Sequence, residues 1–305
     1  MINTGAIAQL LRPGLKTVFG QLPTYPDQWT EIFKTYTSDK FQEIEVEMKY
    51  LGPANIKPEG QPVSTDSMGQ RVITNYIHKR VALSFTITKE AIEDNLYLNQ
   101  FPQQAVSLRN SLRITKNILG ANVLNNAFNP LYPIGDGQPL CSQTHPIDGG
   151  VYSNTFGAGE PQVGFSEAGI EEALIRIQQF PMQSGILSQT MARKIIIPRE
   201  LQFNADRILG SAYEPGTANN AINPLYEGYN KSYIPEGYRV NQFLNSPSAW
   251  FVLTDAENGL KHYQRTPVET DTYADFMTQN VMALAAERYS FGASNARGIF
   301  GSPGA

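Results

Sequence analysis

The chain has 305 residues, a formal net charge of −4, one cysteine and 17% charged residues. Globular proteins carry about 25% charge, so much of this surface must be uncharged and polar, which suits protein–protein contact. The same figures exclude an internal disulfide and give no basic domain of the kind that nucleic-acid binders show. No apolar run reaches the roughly 20 residues of a membrane span. The first residues, Met1-Ile2-Asn3-Thr4, lack the charged-then-apolar form of a signal peptide. Synthesis and folding in a reducing cytosol are therefore expected.

Residues 1–40 are weakly patterned. Pro13, Gly14, Gly20, Pro23 and Pro26 interrupt any helix longer than about two turns, so this stretch reads as an arm that gains order by lying on something else. Residues 41–51 then alternate strictly. Ile44, Val46, Met48 and Tyr50 interleave with Glu43, Glu45, Glu47 and Lys49, the period of a strand with one apolar and one charged face. Residues 52–70 are rich in Gly, Pro, Ser and Asp. Residues 71–88 return to strand character, with Val81, Leu83, Phe85 and Ile87 on one face. Together, residues 41–90 read as two strands joined by a loop of roughly 19 residues, longer than compact domains usually tolerate. The pattern leaves two readings open: a surface loop on an ordinary sheet, or a projecting arm that contacts a neighbouring subunit. In the second, the contact residues are Ile44, Val46, Met48, Tyr50, Lys57, Glu59 and Arg71.

The period then changes. Phe101, Ala105, Leu108, Leu112, Leu119, Val123 and Ala127 predict a long amphipathic helix over 98–128, with Pro102 in its first turn and Asn129-Pro130 ending it. Glu90, Glu93 and Asp94 precede it, where acids favour the positive end of a helix. After a glycine-rich loop, Ser166 caps a second helix through Phe180. Residues 193–210 give a short buried strand and a helix opened by Pro198. Further strands are expected at 238–244, 249–254, 260–265 and 279–290.

Chemistry is sparse. None of the three histidines, His78, His145 and His262, has partners at a structural-zinc spacing, so no metal is assigned and no cofactor motif is present. Cys141 and His145 lie four apart, which admits a thiol hydrolase. Neither sits on an elbow or a helix N-terminus that would activate the thiol.

Several segments, taken in order, carry a resemblance. They are Gly52-Pro53-Ala54-Asn55-Ile56-Lys57-Pro58-Glu59, Ser84-Phe85-Thr86-Ile87-Thr88-Lys89-Glu90, Asp136-Gly137-Gln138-Pro139-Leu140-Cys141-Ser142-Gln143-Thr144-His145-Pro146, Ile195-Ile196-Ile197-Pro198-Arg199-Glu200-Leu201, and Ala285-Ala286-Glu287-Arg288-Tyr289-Ser290-Phe291-Gly292 with Asn295-Ala296-Arg297-Gly298-Ile299-Phe300. This order resembles the major capsid proteins of tailed bacteriophages, and within them the Mu-type major head subunits. The resemblance implies an α+β capsid fold shared with encapsulins and the herpesvirus capsid floor. Residues 1–40 would be the N-terminal arm and 41–90 the extended hairpin loop. Residues 91–162 would be the peripheral domain with its spine helix, 163–246 the axial domain, and 247–305 the rest of the peripheral domain. It implies hexamers and pentamers closing an icosahedral shell around double-stranded DNA. Portal and cement or decoration proteins would be partners, either a separate scaffolding protein guides assembly or none is needed, and assembly would take place in a bacterial cytoplasm. A large N-terminal scaffolding segment is expected to be absent or already removed. Some members cross-link through a lysine on the loop. Lys57 lies there, but nothing in the sequence supplies a catalytic setting for it. An encapsulin-like compartment, another phage head or tail part and the thiol hydrolase are the alternatives.

Overall fold

The computed structural model describes Phe19, Glu160 and residues 27–93, 97–157, 163–213, 222–226, 233–275 and 277–304. Two four-stranded sheets, one long helix and a separate hairpin make up this part of the chain. The first sheet has the order β1 (Lys34–Thr37), β10 (Leu260–Ala274), β11 (Val281–Ala293) and β4 (Lys79–Ile87). The second has the order β12 (Ile299–Ser302), β9 (Trp250–Thr254), β7 (Ala192–Ile197) and β8 (Tyr238–Val240). The hairpin is β2 (Gln42–Lys49) paired antiparallel with β3 (Gly69–Ile77), and a small ribbon pairs β5 (His145–Ile147) with β6 (Gly150–Tyr152).

After a short helix, α1 (Lys89–Glu93), the long helix α2 runs Tyr97–Asn125, 29 residues or about 43 Å. Phe101, Ala105, Leu108 and Leu112, spaced by three and four, pack on Ile87 of β4 and on Val281, Ala283 and Ala285 of β11. The alanines on both sides let helix and sheet approach closely. Pro102 is the sixth residue of α2, deeper than its sequence suggested, where it forgoes the bond to the carbonyl of residue 98. In the second sheet, Ile195 and Ile197 of β7 face α3 (Glu167–Gln178), while Ile196 faces a second core with Phe251 and Leu253 of β9. Burial on both faces is why Ile195-Ile196-Ile197 and Trp250-Phe251-Val252-Leu253 are unbroken apolar runs. Ser166 caps α3, its Oγ accepting from the Gly169 amide at 3.1 Å. The helix opened after Pro198 is a 3-10 turn leading into α4 (Gln202–Gly210).

Three boundaries expected from sequence are corrected. The loop of 41–90 is not one hairpin: β3 ends at Ile77, and after the single residue His78 the chain becomes β4 of the first sheet. The reason is a change of phase. Buried positions in β3 are the even residues Val72, Thr74 and Tyr76, whereas Val81, Phe85 and Ile87 of β4 turn toward α2. Leu83 shares their row yet is 46% exposed. Residues 27–40 are not an arm either. Trp29, Ile32 and Phe33 are buried, the Trp29 amide donates to Asn117 Oδ1 of α2 at 3.1 Å, and β1 pairs parallel with β10. The remainder of the expected arm, residues 1–26 apart from Phe19, lies outside the described residues. Finally, residues 247–305 serve two sheets: β9 and β12 complete the sheet of β7, and only β10 and β11 join β4. This pairing is set by contacts more than 40 residues apart in sequence, such as Ile299 with Leu253.

Candidate assembly interface

The two faces of the hairpin have different surroundings. Its charged row points inward, onto its own chain. Glu43 accepts from Ser38 Oγ at 2.7 Å and from Lys40 Nζ at 3.3 Å. Glu45 accepts from Lys261 Nζ, Tyr263 OH and Ser294 Oγ. Glu47 accepts from Arg297 Nη1 at 2.9 Å and Gln183 Nε2 at 3.0 Å. Lys261 and Arg297 are buried, so each of these cations needs its carboxylate. Beneath β3, Val72, Thr74 and Tyr76 are buried. Tyr76 stacks edge-on with Tyr263 at 4.9 Å, and its hydroxyl lies 2.5 Å from Ser294 Oγ. A Cβ on Gly292 would stand 2.7 Å from the Tyr76 ring, so only glycine lets the hairpin lie this close.

The outward face is therefore the apolar one. Ile44, Tyr50, Ile73 and Ile77 are each more than half exposed, and Val46 and Met48 are exposed beside them. Val46 stands directly opposite Ile73 in the register. Lys57 and Glu59 are exposed in the loop beyond the strands. The stem of that loop is closed by Asp66, which accepts from the amides of Gly52 and Ser67, both at 2.7 Å. Arg71 is different: together with Lys49 it pairs with Asp148 in the turn between β5 and β6. It braces the hairpin on its own chain. Asp148, Lys261 and Arg297 were missed because each lies about 75 to 250 residues from the hairpin residue it holds.

This anchoring has a pH dependence. Burial pushes the Glu45 carboxyl up, but hydrogen bonds from Lys261, Ser294 and Tyr263 outweigh it and leave it below its ordinary 4.5. A carboxyl lowered in the folded state contributes stability that is fully present above about pH 4.5. That contribution is lost as the pH falls through the folded value. Hydrogen exchange pulsed at one common pH, after equilibration at pH 7 or below pH 4, is expected to show β2 losing protection on the acid side before α3 does. Equal loss in both would show that these bonds do not hold the strand.

The candidate hydrolase pair is not arranged for catalysis. Cys141 is buried, and burial pushes its thiol up. His145 is fully buried, with Nδ1 2.6 Å from Asp136 Oδ2 and Nε2 3.0 Å from Asn154 Oδ1. Both ring nitrogens are thus committed elsewhere. Asn154 in turn donates to the carbonyls of Leu140, Ala296 and Ile299, and its Oδ1 accepts from the Ser142 amide at 2.8 Å. The cluster ties three loops together. His262 is packed between Trp29 and Phe291, with ring centroids at 4.4 and 4.7 Å, and burial lowers it to about 3, so it is neutral. Of the acids preceding α2, Glu90 lies in the first turn of α1 and Asp94 lies outside the described residues. A cavity of about 840 Å³ beside α2 is lined by Arg113, Lys116, Asp27 and Glu287, which pair with one another. Among the described residues, no three His, Cys, Asp or Glu side chains converge on a metal position, and no helix is long and apolar enough to cross a membrane.

The family model described as phage capsid protein matches residues 72–301, three quarters of the chain. The chain belongs to the phage capsid protein family. As a member of that family it is a shell-forming capsid protein. Solved structures agree in fold. The capsid of Myoviridae phage XM1 superposes with a TM-score of 0.54 at 7% identity, covering 92% of each chain. The structure titled Microbacterium phage Oxtober96 gives 0.52 at 11% identity, covering 99% of this capsid protein and 98% of that chain. The SrpI encapsulin of Synechococcus elongatus PCC 7942 gives 0.50 at 10% identity, covering 93% and 89%. At these identities the likeness establishes the fold and nothing finer. No curated protein matches the chain.

Proposed function

We propose that the outward face of the β2–β3 hairpin is the surface through which one copy grips the next in the shell. The observation that carries this reading is the reversed hairpin: its carboxylates are satisfied within the chain, while Ile44, Val46, Met48 and Tyr50 are exposed. Exposed contiguous apolar surface of this kind marks an interaction site. Lys57 and Glu59, on the loop beyond the strands, would reach farthest onto the neighbour.

In this reading the copies form hexamers and pentamers of an icosahedral head, and the content is double-stranded DNA held without sequence-specific contact. A net charge of −4 suits a wall that confines DNA without binding it. Portal, decoration and separate scaffolding proteins are its expected partners, and assembly takes place in the bacterial cytoplasm. The role is structural rather than enzymatic, which the inert settings of Cys141 and His145 support. Deleting residues 52–70 provides the test. The shortened chain is expected to stay folded, since no core residue lies in the deleted stretch, and to give no closed shells by negative-stain electron microscopy. Normal shells from the deletion would remove the loop from the interface.

A further inference from the structure

Asn258-Gly259 is the only Asn-Gly pair in the sequence. It forms the turn between β9 and β10, with Asn258 exposed and left-handed at φ +58°. Asn258 Oδ1 accepts from Lys261 Nζ at 2.7 Å, and the same buried ammonium holds Glu45 of β2. We infer that Asn258 is a deamidation site, and that its conversion to an acid loosens β2 from the body of the subunit.

The chemistry needs only water. Hydroxide removes the proton of the Gly259 amide, and that nitrogen bonds to Asn258 Cγ. The Cγ–Nδ2 bond breaks, and Nδ2 takes a proton from solvent and leaves as ammonia. Water then opens the cyclic imide at either carbonyl, returning its proton to the ring nitrogen, to give aspartate or isoaspartate. Two features of this turn favour the first step. Gly259 has no side chain to shield its nitrogen. The Lys261 ammonium lies where negative charge develops on Oδ1.

The product acts on the hairpin through charge. Among the described residues, Lys261 is the one cation that Glu45 contacts; Tyr263 OH and Ser294 Oγ, its other donors there, are neutral. A carboxylate at 258 competes for that ammonium and repels Glu45, in a region that already holds Asp255 and Glu257 beside Glu45 and Glu47. An isoaspartate would also lengthen the main chain at the turn that starts β10.

The test uses the full-length chain incubated at mildly alkaline pH and sampled by peptide-mapping mass spectrometry. The gain of about 1 Da that marks conversion of an amide to an acid is expected at Asn258 at least about tenfold faster than at exposed Asn245, given a charged donor at the oxyanion. In parallel, Asn258→Asp mimics the product and keeps a residue type that tolerates positive φ. Its β2 amides, residues 43–47, are expected to exchange about tenfold faster than the parent's, with α3 unchanged. Conversion at Asn258 no faster than at Asn245 would overturn the site. A β2 exchange rate equal to the parent's in Asn258→Asp would overturn the effect on the hairpin.

Discussion

A Val46→Asp, Ile73→Asp double variant is expected to fold as the parent does and to form no shells. The two residues face each other across the hairpin, 37% and 52% exposed. Neither contributes to a core, so each change should cost the folded chain no more than about 0.5 kcal/mol by itself. Two like charges directly opposite on adjacent strands add a few tenths of a kcal/mol more, still small beside a domain's stability. Assembly is a different matter. Burying two unpaired carboxylates under a neighbour costs several kcal/mol each, and a shell repeats that cost at every copy. Circular dichroism and thermal unfolding should match the parent, while electron microscopy and sedimentation show only small species. Shells of normal yield would mean that this face stays open to water in the assembly. A Val46→Thr, Ile73→Thr control keeps β-branched shape without charge, and should assemble with reduced efficiency.

The second large effect is expected inside the subunit. Asn154→Ala removes the donor to three carbonyls and the acceptor of the Ser142 amide and His145 Nε2, in a site with no exposure. Each buried polar group left without a partner costs about 1–3 kcal/mol, and water entering the space would offset part of that. The net loss should be about 4 kcal/mol, seen as a fall of roughly 6–10 °C in Tm. Asn154→Asp should be no better, since it sets an acceptor against three carbonyls. A loss below about 1 kcal/mol would show that water replaces the amide fully.

Much of this architecture is readable from local pattern. The Ser166 cap, the three-and-four spacing along α2 and the Ile195-Ile197 run each locate an element, because the cause of each lies within one or two turns of chain. The alternation of β2 also announces two faces. What it does not announce is which face turns inward. Ordinary strands bury the apolar row, but here Lys261, Tyr263, Ser294 and Arg297, more than 200 residues away, recruit the acidic row instead. The break at His78 leaves a trace in the sequence, the shift of buried positions from even to odd residues, but one strand with a bulge would leave the same trace. That β9 and β12 close the second sheet depends on long-range pairing. So does the role of Asn154, which no motif marks. The family resemblance supplied the shell; it did not supply the orientation of the hairpin within it.

His78 is the only residue between β3 of the hairpin and β4 of the first sheet. The proposed contact surface and the first sheet are therefore consecutive along the chain. If a neighbour grips the hairpin as proposed, a pull on β3 passes through that residue into β4, whose nine residues pair in register with β11 from Lys79–Tyr289 to Ile87–Val281. A lengthwise pull loads those rungs in shear, all at once, where a sideways pull would open them one after another like a zipper. Outward pressure on a closed wall becomes tension in its plane, and under the proposed grip this link would pass a share of that tension from one subunit into the first sheet of the next.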